Sequence, residues 1–492
     1  MKELFCGIDI GTTAVKAALF DRDGNCAGHG GCEYTLETPH PGVVELDPQI
    51  YLDSVRRACL EAFAAAGAGV KICSVAITGQ VETFICVDAS GRPLRKTIVW
   101  LDSRAVDEAK ELEEHFTLER LCQISGQTAM LPCWTASKLL YLQKHEPEVL
   151  RRTAKILMVE DFILHALTGK FITGRGLLPS SLYYDMNTGN YFQEMLDYLS
   201  LDRSSFPELH DSGEMVAVCH GKFLPEFAGA VASVAPLDHV CGSLGAGGGV
   251  DGIITETTGT TLALCCPLPE YMVDESRRIG VYHGFLPQSF TLLPWAPAAG
   301  MVLKYLRNLM LPGTGYDQVD TAAAAVPPGA EDLMILPHWA GAVSPDVCDH
   351  ARGAILGVTQ AHTAGHYFRA AMEAVAFLMR DNLEALSSFN VNCRELRALG
   401  GGAASDLWLQ IKADVLNCPV TVPQQRECTA CGSAMLGAVA AGLYPDALAI
   451  QQAWFRPGKT VEPGKNAAVY QELFCRYREI NQTILKWYSS KN

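Results

Sequence analysis

Two short glycine and threonine turns, half a chain apart, constrain this sequence more than any other feature in it. Gly11-Thr12-Thr13 separates the apolar run Leu4-Phe5-Cys6-Gly7-Ile8-Asp9 from Val15-Lys16-Ala17-Ala18-Leu19-Phe20. Gly259-Thr260-Thr261 separates Ile253-Ile254-Thr255-Glu256-Thr257-Thr258 from Leu262-Ala263-Leu264-Cys265. A Gly/Thr turn between two apolar runs predicts a β-hairpin in each place. The second turn follows the first by 248 residues in a chain of 492. One reading is two copies of a single fold; the other is the chance likeness of two hairpins, and the letters alone leave both open. At roughly 100–200 residues per domain, the length accommodates two to four domains.

The segments around the turns predict alternating strands and helices. Gly42-Val43-Val44-Glu45-Leu46 is a third strand-like run, Asp47-Pro48 opens a helically spaced stretch from Ile50 to Ala66, and Gly67 stops it. Ile72 to Thr78 reads as a buried strand. Such alternation marks a layered α/β domain. The glycine-dense stretch Leu244–Gly252 suits a hinge or tight crossover. In the second half, Glu395–Leu399 reads as a strand that enters Gly400-Gly401-Gly402-Ala403-Ala404 and then a helix capped near Ser405-Asp406. Thr429 to Leu443, rich in Ala and Gly, predicts a helix packed closely against a neighbour or ligand, and Tyr470 to Tyr488 an amphipathic one.

Composition narrows the class. Apolar residues make up 49% and charged residues 19%, and the longest apolar stretch, Leu292–Leu303, falls short of the ~20 residues a bilayer span needs. No membrane association is expected. Acids on both sides of the first apolar run argue against a secretory signal, so a cytoplasmic location is expected. The net charge of −15 argues against nucleic acid and requires local groups to hold any phosphate. The 18 cysteines are scattered, apart from Cys265-Cys266 and one Cys428-x-x-Cys431. A single CxxC supplies only two zinc ligands, so these thiols are expected to pack in a reducing compartment.

Three glycine loops, at Gly11, Gly259 and Gly400, present backbone N–H groups of the kind that cradle phosphate, which together suggest a nucleotide. Neither GxxxxGK[ST] nor a GxGxxG followed by an acid is present, which removes the P-loop and Rossmann readings. Asp9, just before the first turn, is a candidate metal ligand. Asp238-His239, at the end of the run Val231–Leu237, is a candidate ionisable pair. Composition alone favours a plainer account, in which Asp238 caps a helix beginning at Val240 and His239 is a polar side chain on the surface. Gln80-Val81-Glu82 and Trp100-Leu101-Asp102-Ser103-Arg104 end predicted strands, where polar residues are commonly loop residues.

Taken in order, these motifs resemble the FGGY carbohydrate kinases of the actin and hexokinase ATPase superfamily. Gly7-Ile8-Asp9-Ile10-Gly11-Thr12-Thr13-Ala14-Val15-Lys16 resembles the opening phosphate motif, Leu237-Asp238-His239 the catalytic Asp motif, and Thr258-Gly259-Thr260 the second phosphate loop. Ala299-Gly300 resembles the helix start near the nucleotide, and Gly401-Gly402-Ala403 to Asp406 the adenosine loop. Gly353-Ala354-Ile355-Leu356-Gly357-Val358, followed by His366 and Ala370-Ala371-Met372-Glu373, resembles the C-terminal signature, with Tyr367 where an aliphatic residue or Phe is usual.

The resemblance implies an α/β fold of two actin-like (ribonuclease H-like) ATPase domains flanking a deep cleft. Residues 1–246 would bind sugar and carry the catalytic Asp, and residues 247–492 would bind the nucleotide. It implies transfer of the ATP γ-phosphoryl to a sugar hydroxyl, with Asp238 as base and Mg²⁺ held by Asp9 and Asp238. Gly11, Thr12, Thr13, Lys16, Gly259, Thr260, Gly300, Gly402, Ala403 and Asp406 would hold ATP. Gln80, Val81, Glu82, Asp102, Trp134, Asp238 and His239 would hold the acceptor, with Arg104 beside Asp102 and Cys133 beside Trp134.

Gln80-Val81-Glu82 stands where xylulose kinases typically carry Gln-Met-His and glycerol kinases Gln-Arg-Glu. It matches each by halves. His239 replaces an amide that often follows the catalytic Asp, and Gly341-Ala342-Val343 departs from the Gly-Glu-Arg of xylulose kinases. The implied acceptor is a ketose such as xylulose, with a glycerol- or erythritol-like polyol as the alternative. A non-kinase ATP-driven switch on the same fold is a further alternative. The expected partner is a small-molecule sugar or polyol, and a homodimer is a family tendency.

Overall fold

The computed structural model describes residues 1–490. Both predicted hairpins form. Lys2–Ile10 pairs antiparallel with Ala14–Phe20, with Asp9 opposite Lys16, and Ile253–Thr258 pairs antiparallel with Leu262–Leu268. The first strand of each hairpin also lies parallel to a later strand, Val70–Gly79 in one case and Glu395–Leu399 in the other. Outward from there, Val231–Val234 adds in parallel and Met215–Val218 antiparallel. The second sheet repeats this with Val420–Pro423 in parallel and Pro457–Val461 antiparallel. Strand order and strand direction therefore agree between the halves, which makes the repeat, and not chance hairpin likeness, the right reading of the turns.

The chain divides into two compact units. The first comprises Met1–Gly247 together with Pro269–Thr291 and Gln425–Phe455; the second comprises Gly248–Leu268, Leu292–Gln424 and Arg456–Asn492. In the first unit, Asp47 accepts a hydrogen bond from the Gln49 N–H, Pro48 occupies the first turn, and the helix Pro48–Ala66 ends at Gly67, as its cap and breaker residues predict. Its buried face, Tyr51, Val55, Ala58, Cys59 and Ala62, joins Leu4, Ile8, Val15, Val75 and Ile77 of the sheet in one apolar core.

The predicted small-residue helix spans Cys428–Ala440 and belongs to the first unit. It packs on the helix Asp238–Gly245 at two glycines that leave no room for a side chain. A Cβ on Gly432 would lie 1.9 Å from the Cys241 carbonyl oxygen, and one on Gly245 would lie 2.0 Å from that of Cys428. Cys428 and Cys431 are buried in this helix as packing residues. Among the described residues no group of three or more His, Cys, Asp or Glu is arranged to hold a metal. No described helix is long and apolar enough to cross a membrane. The tail helix runs Ala467–Ser489.

Candidate active site

In the first unit, polar side chains gather at the C-terminal ends of Lys2–Ile10, Val70–Gly79 and Val231–Val234. Asp9 is the penultimate residue of the first of these strands, half-buried, with Oδ1 fully enclosed and lacking any hydrogen-bond partner. Burial, reinforced by the negative charge of Asp238, pushes its carboxyl up to about 7. Gln80 follows Val70–Gly79. Its Nε2 lies within hydrogen-bond distance of the Gly11 carbonyl and the Tyr51 hydroxyl, both at 3.2 Å, and of the Tyr34 hydroxyl at 3.3 Å, three acceptors for its two N–H groups, and its Oε1 is buried without a partner. The Tyr34 hydroxyl also donates to the Gly11 carbonyl, so the first glycine turn is tied to Gln80 from two sides. Thr12 Oγ1 accepts from Trp100 Nε1 at 3.0 Å. Thr13 is exposed, and exposed Lys16 reaches Glu427 at 2.9 Å.

Glu82 adopts φ 61°, an uncommon backbone state for a residue with a side chain and one that clusters at functional sites. Its side chain is 6% exposed. Oε1 accepts from the Ser180 hydroxyl, Oε2 has no donor among the described residues, and burial pushes the carboxyl up to about 7. The fully buried Lys138 donates to the Glu82 carbonyl at 2.9 Å and to the Val99 carbonyl at 3.2 Å. Burial draws this ammonium down to about 8. Neighbouring Val81 is buried.

Asp238 is the first residue of the helix Asp238–Gly245, with Leu237 at the N-cap. The sequence-based expectation of Asp238 capping a helix from Val240 is therefore corrected. The preceding turn is held by the Thr78 hydroxyl, which donates to the Pro236 carbonyl at 2.6 Å. Asp238 Oδ1 accepts from the His239 N–H at 2.7 Å. Its Oδ2 has no donor among the described residues, and the side chain is only half-buried, as is His239. A carboxylate at a helix N-terminus sits in a favourable dipole field while one oxygen remains open to a ligand.

Asp102 is fully buried and differently occupied. Its oxygens accept from the Val44 N–H at 2.6 Å and from Arg104, whose Nη2 lies 2.7 Å away and also reaches Glu45 at 2.7 Å. In this structure it is turned toward that ion-pair cluster. Trp134 is half-buried at the head of Thr135–His145, with Nε1 donating to the Ala129 carbonyl at 2.8 Å.

In the second unit the glycine loops converge. Thr258 ends its strand, and the Gly300 N–H donates to the Gly259 carbonyl at 2.9 Å. A Cβ on Gly300 would lie 2.3 Å from that oxygen, so only glycine lets the helix Gly300–Met310 start there. Gly400, at φ 75°, and Gly402 press on Thr258, where an added Cβ would sit 2.9 Å and 2.8 Å from its atoms. Beneath the turn, fully buried Lys412 pairs with Glu256 and donates to Thr258 Oγ1 at 3.1 Å. Thr260 is only lightly enclosed, Ala403 is half-buried, and Asp406 is exposed in an ion pair with Lys459 at 2.6 Å.

Sequence reasoning missed several of these groups. Glu160 is 2% exposed, and neither of its carboxyl oxygens has a hydrogen-bond partner. Its Oε1 would lie 2.9 Å from a Cβ on Gly79, and burial, with Asp161, Asp238 and Glu82 nearby, pushes its carboxyl well up. Ser180 and Tyr34 carry no local signal. Lys138 and Lys412 do carry a faint one, each being a lone charge among the apolar residues of a helix face.

A repeated sheet with a glycine turn at the head of each copy is the fold that the chain shares with a solved sugar kinase. Family models agree: the FGGY carbohydrate kinase N-terminal domain matches residues 4–243 and the C-terminal domain residues 257–441. The chain belongs to the FGGY family of carbohydrate kinases and is accordingly a phosphotransferase. It is 25% identical to a xylulose kinase of Bacillus subtilis (strain 168), covering 96% of both chains. It is 30% identical to a glycerol kinase of Trichlorobacter lovleyi, covering 91% of this chain and 92% of that one. Among solved structures, xylulose kinase from Rhodospirillum rubrum superposes with a TM-score of 0.89 at 25% identity, covering 99% and 100%. Gluconate kinase from Lactobacillus acidophilus superposes with a TM-score of 0.92 at 22% identity over the whole of both chains, a likeness of fold.

Proposed function

We propose that the protein transfers the γ-phosphoryl of MgATP to a hydroxyl of a ketose such as xylulose. The observation that carries this is the pairing, in one unit, of two partly unsatisfied carboxylates: Asp238 with Oδ2 open and Glu82 with Oε2 open. Glu82 Oε2 accepts a hydrogen bond from one acceptor hydroxyl and fixes the sugar. Asp238 Oδ2 takes the proton from the reacting hydroxyl as its oxygen bonds to γ-phosphorus and the bond to the bridging oxygen of the leaving ADP breaks. Gln80, Val81, Asp102, Trp134 and His239 shape the acceptor's surroundings.

Gly11, Thr12, Thr13, Lys16, Gly259 and Thr260 are the phosphate-holding residues of this reading. Gly300, Gly402, Ala403 and Asp406 surround the rest of the nucleotide. The orphaned Oδ1 of Asp9 fits a divalent cation, a hard oxygen ligand that otherwise has nothing to pair with. Asp9, with Asp238 beside it, would hold the cation. When bound, Mg²⁺ supplies charge neutralisation at the β- and γ-phosphates.

Coupled ADP release with MgATP across ketopentoses, ketohexoses, aldonates, glycerol and four- to six-carbon polyols tests this reading. A strong signal with a ketose is expected. In Asp238→Asn, turnover with that ketose is expected to fall about 100-fold or more while ATP binding persists. A glycerol or erythritol signal exceeding every ketose would move the acceptor to the polyols, and near-normal turnover in Asp238→Asn would remove Asp238 as the base.

A further inference from the structure

The first unit contains a second polar cavity, of about 680 Å³, inside the size range of small-molecule sites. None of Asp9, Gln80, Glu82, Asp102, Trp134, Asp238 or His239 lines it. Its walls come from the segment after Ile172–Gly174, the turn after Tyr184–Asp185, the residues following Glu208–His210, and the hairpin of Pro269–Thr291.

The wall chemistry is mixed and pre-set. Arg175 is held by Asp211 at 2.9 Å and by the Gly189 carbonyl at 3.0 Å, which uses only part of its five-donor fork. The Tyr184 hydroxyl and His283 Nε2 lie 3.0 Å apart, and His283 Nδ1 has no partner among the described residues. Burial draws this imidazole down to about 4, so at neutral pH it carries one N–H and one lone pair and no charge. Tyr271 and Phe290, with ring centroids 5.4 Å apart, and Phe290 and His283, 5.5 Å apart, form an aromatic floor.

Charge selects the ligand class. Against the single cation Arg175 stand Asp211 and Glu270, with His283 neutral, so the cavity does not favour an anion, and the chain as a whole carries −15. An aromatic floor beneath scattered donors and acceptors matches a neutral polyhydroxylated molecule, whose C–H face stacks while its hydroxyls both give and receive hydrogen bonds. We propose that this cavity is a second, non-catalytic binding site for a neutral sugar or polyol.

Strand alternation connects the cavity to the acceptor centre. Tyr282 and His283 are successive residues of the strand Val281–His283 and so point to opposite faces. His283 lines the cavity, while Tyr282 donates to Gln127 Oε1 at 3.2 Å and lies close enough to Glu82 to feel its charge. A ligand seated on His283 is therefore one residue from the acceptor side.

The test is saturation-transfer NMR on the full chain with D-xylose and D-glucose as neutral probes and D-glucose 6-phosphate as the anionic one. The variants are Thr188→Trp, which fills the cavity from an exposed turn, Phe290→Ala, which removes part of the floor, and Glu82→Ala, which removes the proposed acceptor contact. A neutral probe is expected to bind wild type and Glu82→Ala alike, to bind Phe290→Ala less, and to lose about tenfold or more in affinity in Thr188→Trp, whose ADP release with the best acceptor stays near wild type. The proposal is overturned if binding disappears in Glu82→Ala and survives in Thr188→Trp, if only the phosphate binds, or if no neutral probe binds wild type.

Discussion

Glu160 shows what a single enclosed side chain does to the behaviour of the whole protein. Its two carboxyl oxygens lack partners inside the first unit, and burial holds its proton well above the usual carboxylate range. A carboxyl with a raised folded-state pKa contributes stability that is complete below the unfolded value and is lost as pH rises through the folded one. Glu160→Gln keeps the shape and removes the titration. Its melting temperature is expected to match wild type at about pH 4 and to exceed it by a margin that widens as pH rises, as followed by thermal melts; a constant margin would rule out the titration. Asp9 makes the converse point for a ligand. With its carboxyl near 7, a proton competes with Mg²⁺ for the same oxygen. Mg²⁺ affinity of the ATP-bound protein is expected to be about tenfold weaker at pH 6 than at pH 8, and the dependence should vanish in Asp9→Asn along with most of the affinity.

At the scale of elements, close backbone contact carries the design. Gly432 lets the Cys428–Ala440 helix touch the helix that begins at Asp238. Gly432→Ala must separate them, at a cost of about 1–3 kcal/mol in urea unfolding, and kcat is expected to fall more than KM because Asp238 moves with its helix. Gly300→Ala disturbs the other unit. The helix start would be pushed off the Gly259 carbonyl, so KM for ATP should rise while the equilibrium affinity for the acceptor stays put.

The hairpins, the Pro48–Ala66 helix and the small-residue helix were legible in the letters because Gly, Pro and Asp punctuate them locally. The helix starts at Asp238, two residues before the Val240 that a capping Asp predicts, and the Thr78 bond to Pro236, from a strand far away in the chain, helps to hold that turn. Tyr34, Ser180 and Glu160 are illegible in the sequence for another reason. Their partners lie dozens of residues away or do not exist, and no local pattern encodes either condition.

For the whole molecule, the second hairpin's place in the chain matters as much as its shape. The chain leaves the first unit at Gly247, returns for Pro269–Thr291, and returns again for Gln425–Phe455. A fragment of residues 1–247 therefore lacks the helix that covers Cys241 and Gly245. It is expected to show no cooperative thermal transition and to bind a hydrophobic dye, whereas the full chain melts cooperatively; a sharp transition in the fragment would mean that the late segments are dispensable for folding.

That interleaving also governs how the protein is born. At about 5–20 residues per second, translation runs for something on the order of ten seconds or more between the Asp238 helix and the helix that backs it. Throughout that interval the nascent chain presents an uncovered glycine groove beside Asp238. The Asp238 helix thus acquires its backing only once Cys428–Ala440 has been made, and a ribosome stalled before that point would hold a chain whose Gly245 contact has no partner.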